Sequence, residues 1–133
     1  MEHVNRLIEP ALAQGRWVIC DRFADSTLAY QGIAGELGLE LVEQLQELAV
    51  GATTPDVTFL LDLRAEAGLQ RAEIRGGAAR FEKKGAAFHQ TLRDGFLALA
   101  NENPQRIVLI DGEDSFDNVW EQIEAELKRR FKL

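Results

Sequence analysis

A single cysteine, Cys20, among 133 residues cannot close an intrachain disulfide and falls far short of a zinc set, so disulfide scaffolds and zinc ribbons are excluded. Nor does any stretch approach the roughly 20 consecutive apolar residues that a membrane helix needs, and the opening residues MEHVNRLIEP lack the pattern of a signal peptide. Basic charge is in deficit: 15 Lys and Arg stand against 22 Asp and Glu, a formal net charge of −7. Non-specific nucleic-acid binding needs the opposite balance, so nucleic-acid and membrane partners are not expected, and any phosphate must be met by a local group of arginines. What the chain does have is apolar substance, 46% of its residues, enough for one core and one domain spanning 1–133. The expected compartment is the cytoplasm.

Apolar periodicity organises the chain. Val4, Leu7, Ile8 and Ala11 share one helical face over 2–14, Gly15 suits a stop, and Pro10 predicts a bend or loosened turn. Trp17-Val18-Ile19-Cys20 is a short continuous apolar run ending in Asp21-Arg22, the pattern of a strand buried on both faces. Residues 23–35 read as a functional loop holding a short helix. A second amphipathic helix follows over 37–50, and residues 57–63 form a second strand with Asp62 near its carboxyl end. Residues 64–75 are helical up to Gly76-Gly77. A long helix then carries Phe88, Leu92, Phe96 and Leu99 on one face, and residues 106–111 make a third strand ending in Asp111. Asp114 or Ser115 caps a last helix whose stripe is Phe116, Val119, Trp120, Ile123 and Leu127. Strands alternating with helices of this length imply an α/β fold, a parallel sheet with helices on both faces, whose ligands lie at the carboxyl ends of the strands.

Two groups of residues carry chemistry. An arginine at the end of a buried strand, here Arg22, can make a two-pronged contact with a phosphate, and neighbouring Asp21 can orient it or reach a metal-bound water. A plain ion pair at a strand end is the other reading of the same two residues. The second group is Arg71, Arg75 and Arg80 around Gly76-Gly77. Phosphoryl transfer spreads negative charge that positioned cations stabilise, and a glycine hinge lets such cations close over a site. A solvated, charged helix end is the commoner reading of these three without further context. His3 and His89 suggest no metal site, and the acidic face from Glu36 to Glu47 is a solvated one.

The run Asp21-Arg22-Phe23-Ala24-Asp25-Ser26-Thr27-Leu28-Ala29-Tyr30-Gln31-Gly32 resembles the signature of bacterial thymidylate kinases. The likeness continues through Ile8-Glu9-Pro10, Pro55-Asp56-Val57-Thr58, Leu61-Asp62 and Gly68-Leu69-Gln70-Arg71, then Arg80-Phe81-Glu82 and Phe88 to Arg93, so it covers nearly all of the chain. It implies a P-loop nucleoside monophosphate kinase fold and transfer of a phosphoryl group from ATP to dTMP, giving dTDP and ADP, with Mg2+. By the same resemblance Arg22, Arg75 and Arg80 are catalytic, and Asp21, Arg22, Phe23, Ser26, Thr27, Tyr30 and Gln31 bind substrate. Tyr30 would pack at the deoxyribose, Asp21 would meet the metal through water, and residues from about 71 to 85 would form the lid. A homodimer is implied as well. Two departures stand out: Ala79 occupies a place where the family often has Asp, and His89 and Phe96 replace its usual Phe and Tyr.

One expected element is missing. No Gly-x-x-x-x-Gly-Lys-Ser/Thr occurs in the 133 residues, and nothing else supplies its backbone amides, lysine and hydroxyl together. The chain reads as the C-terminal two-thirds of the family's fold, with the first strand and P-loop absent and the donor site incomplete. In the family's strand order that strand lies between 17–22 and 57–63. Those two strands would then close up on each other, or a complementing N-terminal segment would fill the slot, or the chain would be poorly ordered alone. Two functions follow: a dTMP kinase whose isolated chain is inactive, or a non-catalytic homologue or interaction module that keeps the acceptor nucleotide site.

Overall fold

A computed structural model describes residues 3–34, 38, 40–42, 44, 45, 53–74 and 85–132. The chain forms two compact units, residues 1–56 and 57–133.

The first unit opens with helix α1, π-wound over Val4–Ile8 and α-helical over Glu9–Ala13. Pro10 has no amide hydrogen to donate, and it lies at the start of the α-helical part. The irregularity expected at this proline is therefore present, but it lies upstream, where the Glu9 amide donates to the Val4 carbonyl five residues back. Gly15, at φ 69°, ends the helix as expected: its amide donates to Leu12 O at 2.9 Å and that of Arg16 to Ala11 O at 3.1 Å. This pair of bonds is the left-handed glycine stop that satisfies the last carbonyls.

The strand expected at 17–22 does not form. Residues 16–20 have no regular structure, Trp17 is 62% exposed and Ile19 97% exposed. An apolar run becomes a strand only where it joins a sheet ladder, and among the described residues the one sheet has two strands, neither of them formed by this segment. The segment expected to be a loop holding a short helix does contain helix, and more of it than expected: helix α2 runs over Ala24–Thr27 and continues as a π-wound stretch, Leu28–Ile33, burying Ala29 and Gly32. Residues 40–42, 44 and 45 are also helical, with Val42 buried; Gly38, at φ 80°, is not helical, and the remaining residues of the helix expected over 37–50 lie outside the described ones.

The second unit holds the sheet. Strands β1 (Thr58–Asp62) and β2 (Ile107–Asp111) pair in parallel, Thr58 opposite Ile107 and Asp62 opposite Asp111. Helices α3 (Ala65–Ile74) and α4 (Gly85–Glu102) supply the crossover, and α5 (Phe116–Phe131) follows β2. Ile107 and Ile110, three apart, point to opposite faces of the sheet, and both are buried. Cover on both faces is what a parallel pair requires, and α4 and α5 both contact the sheet. Leu92 and Leu99 of α4 complete this core.

Helix α5 begins at Ser115, whose Oγ accepts from the Asn118 amide at 3.2 Å. Its expected apolar stripe is covered only in part, since Val119, Ile123 and Leu127 are half-buried while Phe116 is 86% exposed. Its basic last turn is paired within the helix, Arg129 and Arg130 both with Glu126. Among the described residues no helix is long and apolar enough to cross a membrane.

Candidate functional site

In the first unit the candidate residues gather in sequence around Arg22. Its backbone lies at φ 63°, a left-handed conformation that costs a non-glycine residue about 1–2 kcal/mol. The turn it makes carries the chain into α2, and the Cys20 thiol donates to its carbonyl at 3.4 Å. The same turn swings the guanidinium over the ring of Tyr30, with Cζ 5.5 Å from the centroid. A ring face at this distance holds a cation by its quadrupole and leaves the N–H edge free for an anion. Arg22 is exposed, as are Asp21, Thr27 and Gln31, while Phe23, Ser26 and Tyr30 are half-buried. Ser26 is set by the turn itself, its amide donating to Phe23 O at 3.1 Å.

In the second unit the carboxyl ends of β1 and β2 carry a charged cluster beside a cleft of ≈ 420 Å³, lined by Asp62, Leu63, Arg93, Leu109, Asp111 and Glu113. Arg93 grips Asp62 with both prongs, Nε to Oδ1 at 2.7 Å and Nη2 to Oδ2 at 2.9 Å. Arg64 gives Glu113 its backbone amide at 2.8 Å, Nε at 2.9 Å and Nη2 at 2.9 Å. These bonds favour the charged carboxylates. Arg93 holds Asp62 below its usual range, and the side chain and amide of Arg64 pull Glu113 down from 4.5 to about 2. Glu126, between Arg129 and Arg130, is likewise held at about 2.

A carboxylate with a depressed folded pKa stabilises the fold above its unfolded value and loses that contribution as protons bind. The second unit is therefore expected to lose stability as the pH falls from about 4.5 toward about 2. Thermal melts across that window check this, and Glu113→Gln should flatten the decline. Arg64 is mostly exposed, so high salt should weaken the effect.

A family model for thymidylate kinase matches residues 1–123. The chain belongs to the thymidylate kinase family. It is 51% identical to the thymidylate kinase of Caulobacter vibrioides over 99% of its own length and 64% of that protein's. Against the thymidylate kinase of Rhodopseudomonas palustris strain CGA009 it is 45% identical over 95% of its length and 58% of the relative's, and against that of Desulfosudis oleivorans 47% identical over 96% and 63%. It thus spans about three-fifths of the relatives it matches.

Of the residues expected to serve a thymidylate kinase site, the fold brings Arg22 and Tyr30 together. Arg75 and Arg80 lie outside the described residues, as does Ala79. Arg71 is committed elsewhere, its Nη1 donating to the Gly112 carbonyl at 2.7 Å. Sequence reasoning noticed Asp62 and Arg93 singly and missed their pairing, and it missed Arg64 and Glu113 altogether. Partners 31 and 49 residues apart leave no periodic trace. His89 packs edge-on against Phe88 at 5.5 Å, and its Nε2 is buried without a hydrogen-bond partner. No group of three His, Cys, Asp or Glu that could hold a metal occurs among the described residues.

Proposed function

We propose that this chain provides the acceptor side of a dTMP kinase, in which an oxygen of the dTMP phosphate attacks the γ-phosphorus of ATP, and dTDP and ADP leave. The observation that carries this reading is Arg22, held in a strained backbone conformation with its guanidinium on the Tyr30 ring. Arg22 takes the acceptor phosphate in a two-pronged contact, which fixes the attacking oxygen. Asp21, its exposed neighbour, orients that guanidinium or meets a cation through water. Phe23, Ser26, Thr27 and Gln31 line the nucleoside, and Tyr30 packs at the sugar. Arg75 and Arg80 balance charge on the moving phosphoryl group.

The donor is a different matter. The sequence holds no Gly-x-x-x-x-Gly-Lys-Ser/Thr, and no group of three His, Cys, Asp or Glu that could hold a metal occurs among the described residues, so those residues do not by themselves fit ATP or Mg2+. The 133-residue chain is accordingly inactive alone, as a cytoplasmic homodimer or otherwise, unless a complementing N-terminal segment joins it.

Calorimetric titration separates the parts of this reading. The chain should bind dTMP and bind thymidine, which lacks the phosphate, at least about tenfold more weakly, since hydrogen bonds to charged groups contribute about 1.5–3 kcal/mol. With ATP and dTMP it should form no dTDP. Equal affinity for the two ligands overturns the phosphate contact, and turnover by the chain alone overturns its inactivity.

A further inference from the structure

Arg71 and Arg93 stand on α3 and α4, the helices before and after residues 75–84 in sequence, and both reach the carboxyl end of the sheet. Arg71 Nη1 donates to the Gly112 carbonyl at 2.7 Å, and Arg93 grips both oxygens of Asp62 at 2.7 and 2.9 Å. Their two targets are themselves joined, because the Gly112 amide donates to the Asp62 carbonyl at 2.8 Å. Only glycine permits that approach: a Cβ at 112 would lie 2.9 Å from the Asp62 carbonyl oxygen and 3.3 Å from the carbonyl carbon of Leu61. Two helices and two strands thus meet at one small node.

Stability alone is a poor account of this arrangement. The side chains of Arg93 and Asp62 are partly buried, 29% and 27% exposed, and the attraction in such a pair is largely offset by the cost of desolvating both charges, which leaves a modest net contribution. What a two-pronged arginine contact supplies is direction, since its planar fork fits a carboxylate in one orientation. We propose that Arg71 and Arg93 are positioning residues, which fix α3 and α4, the helices that flank residues 75–84 in sequence, to the ends of β1 and β2. The link to phosphoryl transfer rests on the function proposed above, whereas the node stands independently of it.

The two contacts differ in a way that makes the idea testable. Arg71 uses one N–H on one carbonyl, which a lysine can replace, while Arg93 uses two N–H groups on two oxygens, which a lysine cannot. Amide hydrogen exchange of the whole chain, read by NMR, gives the local answer. Arg71→Gln should speed exchange about tenfold at Glu73, Ile74 and Gly112, and Arg71→Lys should restore it. Arg93→Gln and Arg93→Lys should both speed exchange from Asp94 to Leu97. Val119 to Ile123 of α5 should be unchanged in all four. Acceleration spread evenly into α5 would mean a merely structural role and overturn the proposal, as would no local acceleration or a lysine at 93 serving as well as arginine. The Arg93 Nε–H resonance should be protected in the parent and lose that protection in Asp62→Asn, and its persistence in the variant would also count against the node. Failure of the parent chain to bind dTMP would instead sink the acceptor-site reading and leave the exchange pattern intact.

Discussion

Ile110→Ala is expected to destabilise the second unit by about 2–5 kcal/mol, enough to abolish most of its folding free energy. Ile110 is 2% exposed, on the strand that contacts both α4 and α5. Few large side chains share its burial there: Leu92, Leu99 and Ile107 are the others among the described residues, with alanines making up the rest. A domain's stability is typically about 5–15 kcal/mol, and a small unit falls toward the lower end. Removing three carbons from so thin a core costs both their transfer out of water and the cavity left behind. Leu109, its neighbour on the same strand, is 51% exposed, and Leu109→Ala should cost under about 1 kcal/mol. Urea unfolding followed by circular dichroism compares the two. A large fall in midpoint for Ile110→Ala at an unchanged slope, beside a small one for Leu109→Ala, is the expected pattern. Equal losses would show that the core lies elsewhere.

The same contrast explains what the sequence makes legible. Residues 57–63 and 106–111 are read as strands and emerge as Thr58–Asp62 and Ile107–Asp111, because each apolar run has the other to pair with. Trp17 to Cys20 has an equally good pattern but joins no sheet among the described residues, and Trp17 and Ile19 stay exposed. Periodicity also misreads 24–33, where the π-wound Leu28–Ile33 shifts side chains off the 3.6-residue repeat on which the reading depends. For the candidate site, Arg22 and Tyr30 are close in sequence and share one recognisable motif, and the fold joins them. The Asp62–Arg93 and Arg64–Glu113 pairs depend on how α4 and the β2–α5 turn meet the strand ends, which is tertiary information. Local chemistry was therefore readable in the residues, and long-range pairing was not.

Arg22 offers the sharpest test of function, because its backbone and its side chain pull in opposite directions. At φ 63° any residue with a Cβ is strained, and glycine is not. Arg22→Gly should therefore stabilise the first unit by about 1 kcal/mol, offset in part by the added freedom of glycine in the unfolded chain and by loss of the Tyr30 contact. Arg22→Ala keeps the strain and gains nothing. Both variants lose the guanidinium, so both should weaken dTMP binding about 10- to 100-fold, the range for losing charge-assisted hydrogen bonds to a phosphate. Arg22→Lys keeps the charge without the planar fork and should fall between parent and alanine. Thymidine affinity should hardly change in any of them, since the phosphate is absent. A residue kept in a costly conformation when glycine would relieve it is being held there for its side chain. If Arg22→Gly binds dTMP as well as the parent does, the guanidinium is not what holds the acceptor phosphate, and the strain at this turn serves some purpose other than binding.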